Sequence, residues 1–188
     1  MISYVFDLDQ TLYQNVSFST HDSRATGFLC QNYNKSKHYF AKSGIMSNIV
    51  SIYKKYFKVD KKLISLLIKL KGDKHIITNS RPCHCFTTLS LLGILKFFKI
   101  VMNTDTQKYM KPHPQIYQNL IKHNKNKKTK YIFFDDLIEN LITAKKMGWE
   151  TVLINSHHIP ENHEIVQKYT DYIFPDIYQA LNYFIKIQ

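Results

Sequence analysis

Short apolar runs alternate with stretches whose apolar residues recur at helical spacing along most of the chain. The runs predict buried strands, because each has strand length and is bounded by polar or glycine residues. They cover residues 2–8, 74–78, 100–102, 131–134, 151–154 and 172–174. Helices are predicted at 61–71, from Pro82 to Gly93, from Pro114, from Leu137 to Gly148 and from Asp176. This alternation predicts an α/β fold, with a doubly wound parallel sheet and helices on both faces.

Residues 14–60 interrupt the alternation and carry an apolar pattern of their own. The spacing of one helix face is followed by Ile45, Ile49, Ile52, Tyr53 and Tyr56. We therefore expect a small helical unit at 14–60, inserted into a core formed by 1–13 and 61–188. Its aromatic residues either stack on a base or fill the unit's own core; they are Phe18, Phe28, Tyr33, Tyr39 and Phe40.

Polar residues follow several of the predicted strands. Asp7 and Asp9 come at the end of the first strand, and Thr78 and Asn79 end the second. Ligands of such sheets bind beyond the carboxyl ends of the strands, so these side chains are expected to meet at one edge. Carboxylates near Val5 and Phe6 are costly to bury unless a cation, a proton or hydrogen bonds compensate them. A plainer interpretation is that both acids only cap the following loop.

Four short motifs occur in order: Asp7-Leu8-Asp9-Gln10-Thr11, Thr78-Asn79-Ser80, Lys111-Pro112-His113 and Asp135-Asp136. In this order they resemble the motifs of the haloacid dehalogenase (HAD) superfamily of aspartate-nucleophile enzymes, over roughly residues 1 to 155. Within it, the chain looks closest to pyrimidine 5'-nucleotidase-like phosphatases. The resemblance implies a Rossmann-like core and makes residues 14–60 a small helical cap.

The resemblance also implies a Mg2+ ion and its ligands. These would be the carboxylate of Asp7, the backbone carbonyl of Asp9 and the carboxylate of Asp136, with Asp135 nearby or acting through water. Asn140 lies one helical turn after Asp136 and would hold either that carboxylate or Lys111.

The catalytic roles follow from the same resemblance. Asp7 would attack phosphorus, and Asp9 would act as general acid and then general base. Thr78 and Lys111 would bind and neutralise the transferring phosphoryl group. Asn79 and Thr11 are expected either to contact the substrate or to serve as turn and cap residues.

The resulting expectation is a Mg2+-dependent phosphomonoester hydrolase acting on a small phosphorylated metabolite such as a nucleoside monophosphate. Asp9 favours phosphate over halide chemistry, because a halide leaves without a proton. A sugar phosphomutase would use the same motifs but needs a larger cap. The remaining alternatives are a phosphatase acting on nucleic-acid ends and a catalytically silent binding protein with this fold.

The net charge of +12 bears on the nucleic-acid alternative. Residues 53–130 carry eighteen basic and three acidic residues, which accounts for all of the excess. A genome rich in A and T also explains a chain rich in Lys, Asn, Ile, Tyr and Phe. Nine of the lysines lie in segments leading into strands, opposite the expected site; they are Lys69, Lys71, Lys74, Lys96, Lys99, Lys125, Lys127, Lys128 and Lys130. Nucleic acid is therefore an open but unfavoured partner.

The chain of 188 residues suits one domain with a small insertion, and 44% of it is hydrophobic. No apolar run reaches the ~18 residues that span a bilayer. The odd count of three cysteines does not predict a disulfide framework. We therefore expect a soluble, cytoplasmic protein in a reducing compartment. Cys83-His84-Cys85 lacks a second Cys/His pair at zinc-like spacing, so it does not predict a metal site.

Overall fold

The computed structural model describes residues 1–14, 47–124, 129–154 and 163–188. Its six strands form one sheet in the order β3-β2-β1-β4-β5-β6, and all neighbouring strands run parallel. The strands are β1 (Ile2–Phe6), β2 (Asp73–Ile77), β3 (Ile100–Met102), β4 (Lys130–Asp135), β5 (Glu150–Ile154) and β6 (Tyr172–Phe174). The predicted α/β fold with a parallel sheet is confirmed.

In the described ranges, a helix lies before each of the strands β2 to β6, and another follows β6. These helices are α1 (Lys61–Lys69), α2 (Pro82–Leu91), α3 (Pro114–His123), α4 (Ile138–Lys146), α5 (His163–Tyr169) and α6 (Ile177–Lys186). A further helical stretch, residues 47–53, precedes α1. Helix α5 and a short 3-10 helix at Leu95–Phe97 were not predicted. The others start close to where the sequence places them, in part because Asp60 and Asp176 accept hydrogen bonds from the first-turn N–H groups of α1 and α6.

Hydrophobic residues are buried on both faces of the sheet. One cluster includes Phe6, Phe134 and Phe184, and the other includes Val5 and Trp149. Because successive residues of a strand point to opposite faces, β1 contributes to both clusters. The central strands β1 and β4 are thus held rigidly, and the residues that follow them start from fixed positions.

The predicted insertion at 14–60 falls mostly on residues 15–46, outside the described residues. The five aromatic residues proposed to stack on a base lie there too, together with Ile45. Residues 47–53 are helical. Ile49, Tyr53 and Phe57 are buried in the same hydrophobic cluster as Leu12 of the core. The boundary between insertion and core stays a prediction.

Several of the lysines that lead into the strands form local hydrogen bonds or ion pairs. The ammonium of Lys74 donates to the carbonyl oxygens of Leu70 (2.6 Å) and Gly72 (3.0 Å). Lys99 pairs with Asp73, and Lys130 pairs with Glu150, both at 2.5 Å. Lys125, Lys127 and Lys128 lie outside the described residues. These contacts reduce the free positive charge of this edge.

The structure also bears on two further features of the sequence, its apolar runs and its cysteines. No helix among the described ranges is long and apolar enough to cross a membrane. Of the cysteines, Cys85 is a buried free thiol, whereas Cys83 is disulfide-bonded. The odd cysteine count gave no reason to expect that bond, and the cytoplasmic location stays a prediction.

Candidate active site

Three central strands deliver polar residues to one edge of the sheet. Asp7 directly follows β1, and its N–H donates to the carbonyl of Phe134 in β4 at 2.9 Å. Thr78 directly follows β2, and its N–H donates to the carbonyl of Met102 at 3.0 Å. Asp135 is the last residue of β4. Because these strands are parallel, their carboxyl ends bring the three side chains together.

A cavity of about 240 Å³ opens at this edge. Seven of its lining residues were predicted from sequence as site residues: Asp7, Asp9, Thr78, Asn79, Lys111, Asp136 and Asn140. Gln10, Ser80 and Leu137 complete the lining. The structure therefore brings the four motifs to one site, as the strand-end positions predict.

Lys111 lies at the centre of the buried charges. Its Nζ atom is 2.6 Å from Oδ1 of Asp7 and 2.6 Å from Oδ2 of Asp135, and all three residues are buried. Burial lowers the pKa of Lys111, but the carboxylates of Asp135 and Asp7 outweigh it and hold that pKa above its ordinary value. The lysine is therefore a fixed ammonium that bridges two acids.

Asp135 is the most enclosed of these acids. Its Oδ1 accepts hydrogen bonds from the backbone N–H of Leu137 and from Nδ2 of Asn140, both at 2.9 Å, and Oδ2 also accepts from Asn140 at 3.1 Å. The expectation that Asn140 holds Asp136 or Lys111 is therefore wrong, because its amide faces Asp135. The carbonyl of Asn140 in turn accepts from the hydroxyl of Tyr117 at 3.0 Å. Asp135 thus acts as a buried anchor for Lys111.

Asp7 and Asp136 carry the carboxylates that face the cavity. Burial raises the pKa of Asp7, and the ammonium of Lys111 opposes this shift without cancelling it. Burial, with a contribution from the charge of Asp135, raises the pKa of Asp136 to about 6. The hydroxyl of Thr11 donates to Oδ1 of Asp136 at 3.4 Å. Both pKa shifts come chiefly from burial, and the nearby carboxylates add to them.

The carboxylates of Asp7, Asp135 and Asp136 each place an oxygen within 4.8 Å of the others. Hard oxygen ligands of this kind suit Mg2+. Three carboxylates also carry more negative charge than the single ammonium of Lys111 neutralises. The donor set therefore fits a hard divalent cation.

Asp9 lies in a hydrogen-bond network that the sequence did not reveal. Its Oδ1 is 2.7 Å from Nε2 of His84 and also accepts from the hydroxyl of Tyr13, while Oδ2 accepts from the hydroxyl of Ser80. The hydroxyl of Tyr53 lies 2.6 Å from Nδ1 of His84. Burial alone would raise the pKa of Asp9, but the bonds and charge of these partners lower it to about 2.

One signal in the sequence could have indicated His84. It lies in the first turn of α2, directly after the loop that carries Thr78 and Ser80. A residue at this position comes near the carboxyl end of β1, since β1 and β2 are neighbours. The Tyr53 contact had no comparable signal, because it depends on how the last part of the predicted insertion packs on the core.

Asn79 and Thr78 differ in what their side chains contact. Asn79 donates through Nδ2 to the carbonyl of Lys111 and accepts through Oδ1 from the N–H of Lys111, both at 2.9 Å. These bonds fix the loop that carries Lys111. The hydroxyl oxygen of Thr78 accepts from the N–H of Ser80 at 3.1 Å, which leaves its proton directed elsewhere. Asn79 therefore positions Lys111, and Thr78 retains a donor at the cavity.

The chain is similar to a known family and to a curated relative. The family model described as haloacid dehalogenase-like hydrolase matches residues 31–154. A curated relative is the glyceraldehyde 3-phosphate phosphatase of Pyrococcus furiosus, 29% identical over 119 residues. The alignment covers 61% of this chain and 50% of that protein, so the chain spans about half the length of the relative.

Solved structures share the fold over nearly the whole chain. A putative beta-phosphoglucomutase from Thermotoga maritima has a TM-score of 0.69 at 15% identity and covers 100% of both chains. A putative HAD hydrolase of Bacillus subtilis, solved with magnesium, has a TM-score of 0.66 at 13% identity over 97% of each chain. The L-2-haloacid dehalogenase of Xanthobacter autotrophicus has a TM-score of 0.59 at 13% identity, over 97% of this chain and 98% of that chain. At these identities the likeness concerns the fold alone.

Proposed function

Because the chain belongs to the haloacid dehalogenase-like hydrolase family, we propose that it hydrolyses phosphomonoesters through an aspartyl-phosphate formed on Asp7. The observation that carries this proposal is the buried triad in which Lys111 joins Asp7 to Asp135 beside the cavity. The Pyrococcus furiosus relative, named as a phosphatase, supports the reaction class.

In the first step, a carboxylate oxygen of Asp7 attacks phosphorus and the bond from phosphorus to the ester oxygen breaks. The departing alkoxide takes a proton from the carboxylic acid form of Asp9. In the free protein the pKa of Asp9 is low. A bound phosphate dianion raises its proton affinity, because a nearby like charge disfavours the ionised form.

In the second step, water attacks phosphorus of the aspartyl-phosphate. Asp9, now a carboxylate, accepts a proton from this water, and the bond between phosphorus and the Asp7 oxygen breaks. Inorganic phosphate leaves, Asp7 is again a carboxylate, and Asp9 is again an acid. Both steps use the same two aspartates, so atoms and protons balance over the cycle.

The phosphoryl group needs positive charge and hydrogen-bond donors around it, because charge spreads over its oxygens in the transition state. Lys111 supplies a buried ammonium and Thr78 a hydroxyl donor at the cavity. Fixed groups of this kind stabilise a developing charge without reorganising. Asn79 contributes by holding the backbone of Lys111.

We propose Mg2+ as the cofactor, held by the carboxylates of Asp7 and Asp136 and by the backbone carbonyl of Asp9, with Asp135 behind them. When bound, Mg2+ would neutralise phosphate charge and keep the Asp7 carboxylate ionised. The need for such a cation is supported by the raised pKa of Asp7 and of Asp136.

The presence of Asp9 favours phosphate hydrolysis over dehalogenation. An alkoxide leaving group needs a proton from an acid such as Asp9, whereas a halide leaves without one. The contacts of Asp9 with His84 and Ser80 support a role for its carboxylate, which a mere binding protein would not need. A phosphatase acting on nucleic-acid ends stays the rival candidate. Lysines at the opposite edge do not favour it, because several are paired locally.

The proposed substrate is a small phosphorylated metabolite, which suits a cavity of about 240 Å³. Nucleoside monophosphates are the class that the sequence motifs suggest. Triose phosphates are the class that the name of the Pyrococcus furiosus relative adds. The insertion at 14–60 is expected to determine which of these two substrate classes is bound.

The proposal is tested by phosphate release from nucleoside 5'-monophosphates, triose and hexose phosphates, and 5'- or 3'-phosphorylated oligonucleotides. Each is assayed with Mg2+ and with EDTA, and Asp7→Asn serves as the blank. We expect release from small esters that needs both Mg2+ and Asp7. Release from oligonucleotides alone would favour the rival candidate, and equal release by wild type and Asp7→Asn would contradict the mechanism.

A further inference from the structure

We propose that His84, held by Tyr53, is the positioning residue that orients the carboxylate of Asp9 for proton transfer to the leaving group. This inference rests on the proposed function and extends it to residues outside the four motifs. His84 comes from α2, and Tyr53 comes from the helical segment 47–53 in the last part of the predicted insertion.

The contacts form a short chain. Nε2 of His84 is 2.7 Å from Oδ1 of Asp9, and Nδ1 of the same ring is 2.6 Å from the hydroxyl of Tyr53. The rings of Tyr53 and His84 also meet edge to face, with centroids 5.4 Å apart. A ring bonded at both nitrogens and packed on one side has little freedom to rotate.

Side chains, rather than enclosing backbone, hold the carboxylate of Asp9: His84 and Tyr13 bond Oδ1, and Ser80 bonds Oδ2. The Asp9 side chain is 39% exposed, in contrast to the enclosed carboxylate of Asp135. Gln10, the next residue, has a positive φ of 58°, so the backbone turns sharply there. Without these bonds, a partly exposed carboxylate on a turn would populate several rotamers.

Tyr53 is itself anchored in the hydrophobic core. It is 2% exposed and stacks on Phe57, which in turn meets the ring of Tyr13 edge to face at 4.9 Å. The hydroxyl of Tyr13 also bonds Asp9 and lies 3.1 Å from Nε2 of His84. The last part of the predicted insertion therefore connects to Asp9 through Tyr53 with His84 and through Phe57 with Tyr13.

The proposed role has a selective chemical consequence. An ester with a poor leaving group, such as an alkyl phosphate, needs the proton of Asp9 as its bond breaks. An ester with a good leaving group, such as 2,4-dinitrophenyl phosphate, does not need it. Misplacing Asp9 therefore slows the first ester and spares the second, whereas general damage to the fold slows both.

The test compares kcat and KM of the wild type and its variants on glycerol phosphate, or on the best alkyl ester found, and on 2,4-dinitrophenyl phosphate, with Mg2+. For His84→Ala we expect kcat on the alkyl ester to fall at least about tenfold, because the variant loses part of the rate that the general acid supplies. On the aryl ester we expect kcat to fall less than about threefold. Tyr53→Phe should show a smaller loss with the same selectivity. His84→Gln, which keeps a donor near the Nε2 position, should recover most of the alkyl rate.

Two controls complete the design. Phe86→Ala changes an exposed residue of the same helix and should leave both rates at the wild-type level. In an Asp9→Asn background, His84→Ala should cost nothing further on the alkyl ester, because residues that act together are not additive. Circular dichroism of each variant reports whether it folds. If His84→Ala does not fold, Tyr53→Phe still tests the inference.

The inference is overturned if His84→Ala and Tyr53→Phe slow both esters equally, or if neither slows the alkyl ester. A glutamine variant as slow as the alanine variant would also count against the hydrogen bond. Failure of the proposed function would give a different result. Any phosphate that the wild type released from either ester would then also be released by Asp7→Asn.

Discussion

The ammonium of Lys111 lies 2.6 Å from a carboxylate oxygen of Asp7 and 2.6 Å from a carboxylate oxygen of Asp135, although these residues come from three separate segments. Asp7 faces the cavity, whereas Asp135 lies behind it and is completely buried. Lys111 therefore links the proposed nucleophile, Asp7, to the rigidly held acid Asp135.

Lys111→Met tests this bridge. Removing one partner of a buried ion pair leaves its acids uncompensated, so we expect a loss of about 3–5 kcal/mol in the free energy of unfolding. Phosphatase turnover should fall at least about a hundredfold, because the ammonium is also proposed to neutralise the phosphoryl group. Urea denaturation and phosphate release measure the two effects. Lys108→Met, at a nearby exposed lysine, should change stability by less than about 0.5 kcal/mol; an equal loss in both variants would contradict the bridge.

Asn140→Ala tests the support of Asp135. Each oxygen of Asp135 loses a donor, and a buried acceptor without its partner costs about 1–3 kcal/mol. Chemical denaturation should show this loss, and turnover should fall as Lys111 shifts. Gln118→Ala, which removes an exposed amide from α3, is the matched control. A stability of Asn140→Ala equal to that of the wild type would refute the assigned contact.

The affinity for Mg2+ should depend on pH through Asp136. Its pKa is raised to about 6, and a protonated carboxyl is a poor metal ligand. Lowering the pH from 7 to 5 should therefore weaken Mg2+ binding about tenfold or more, since most of Asp136 is then protonated. Isothermal titration calorimetry measures this change. Asp136→Asn should bind Mg2+ more weakly at pH 7 and lose part of the pH dependence; an unchanged affinity would exclude Asp136 as a ligand.

His75 offers a test of stability against pH. It is 1% exposed, and among the described residues neither of its ring nitrogens has a hydrogen-bond partner. Burial lowers its pKa to about 4. Between pH 4 and 6.5 the unfolded chain carries a proton on His75 that the folded chain lacks, so this residue destabilises the fold as the pH falls through that window.

The measurement is the free energy of unfolding of wild type and His75→Leu at pH 4.5 and pH 7. We expect the variant to gain about 2 kcal/mol relative to wild type on going from pH 7 to pH 4.5. Thr88→Val removes a buried hydroxyl that does not titrate, so its effect should be the same at both pH values. A gain for His75→Leu that does not change with pH would contradict the assigned shift.

The sequence predicted the parallel sheet and the meeting of Asp7, Asp9, Thr78 and Asp136 for one physical reason. Strands that alternate with helices run parallel, and parallel strands end at the same edge. Residues placed by the end of a strand can therefore be located without knowing the packing. Their chemical roles remain predictions.

Contacts that depend on packing between distant segments could not be predicted. Asn140 follows Asp136 by four residues, which suggested a helical pairing, yet its amide turns to Asp135. The network of His84 and Tyr53 joins α2 to the last part of the predicted insertion, and no periodic pattern encodes that approach. Helix α5 was missed because its seven residues are too few for an apolar face to be recognised.

The proposed mechanism requires a covalent phosphoryl group on Asp7, and trapping that group is its most direct test. The protein is mixed with Mg2+ and 2,4-dinitrophenyl phosphate, an ester that needs no general acid, then quenched in acid within the first turnover, digested and analysed by mass spectrometry. We predict a phosphoryl group on the peptide that contains Asp7 in the wild type, absent in Asp7→Asn and accumulating in Asp9→Asn, which lacks the base for the second step. Rapid turnover with no phosphorylated Asp7 in either the wild type or Asp9→Asn would refute the mechanism.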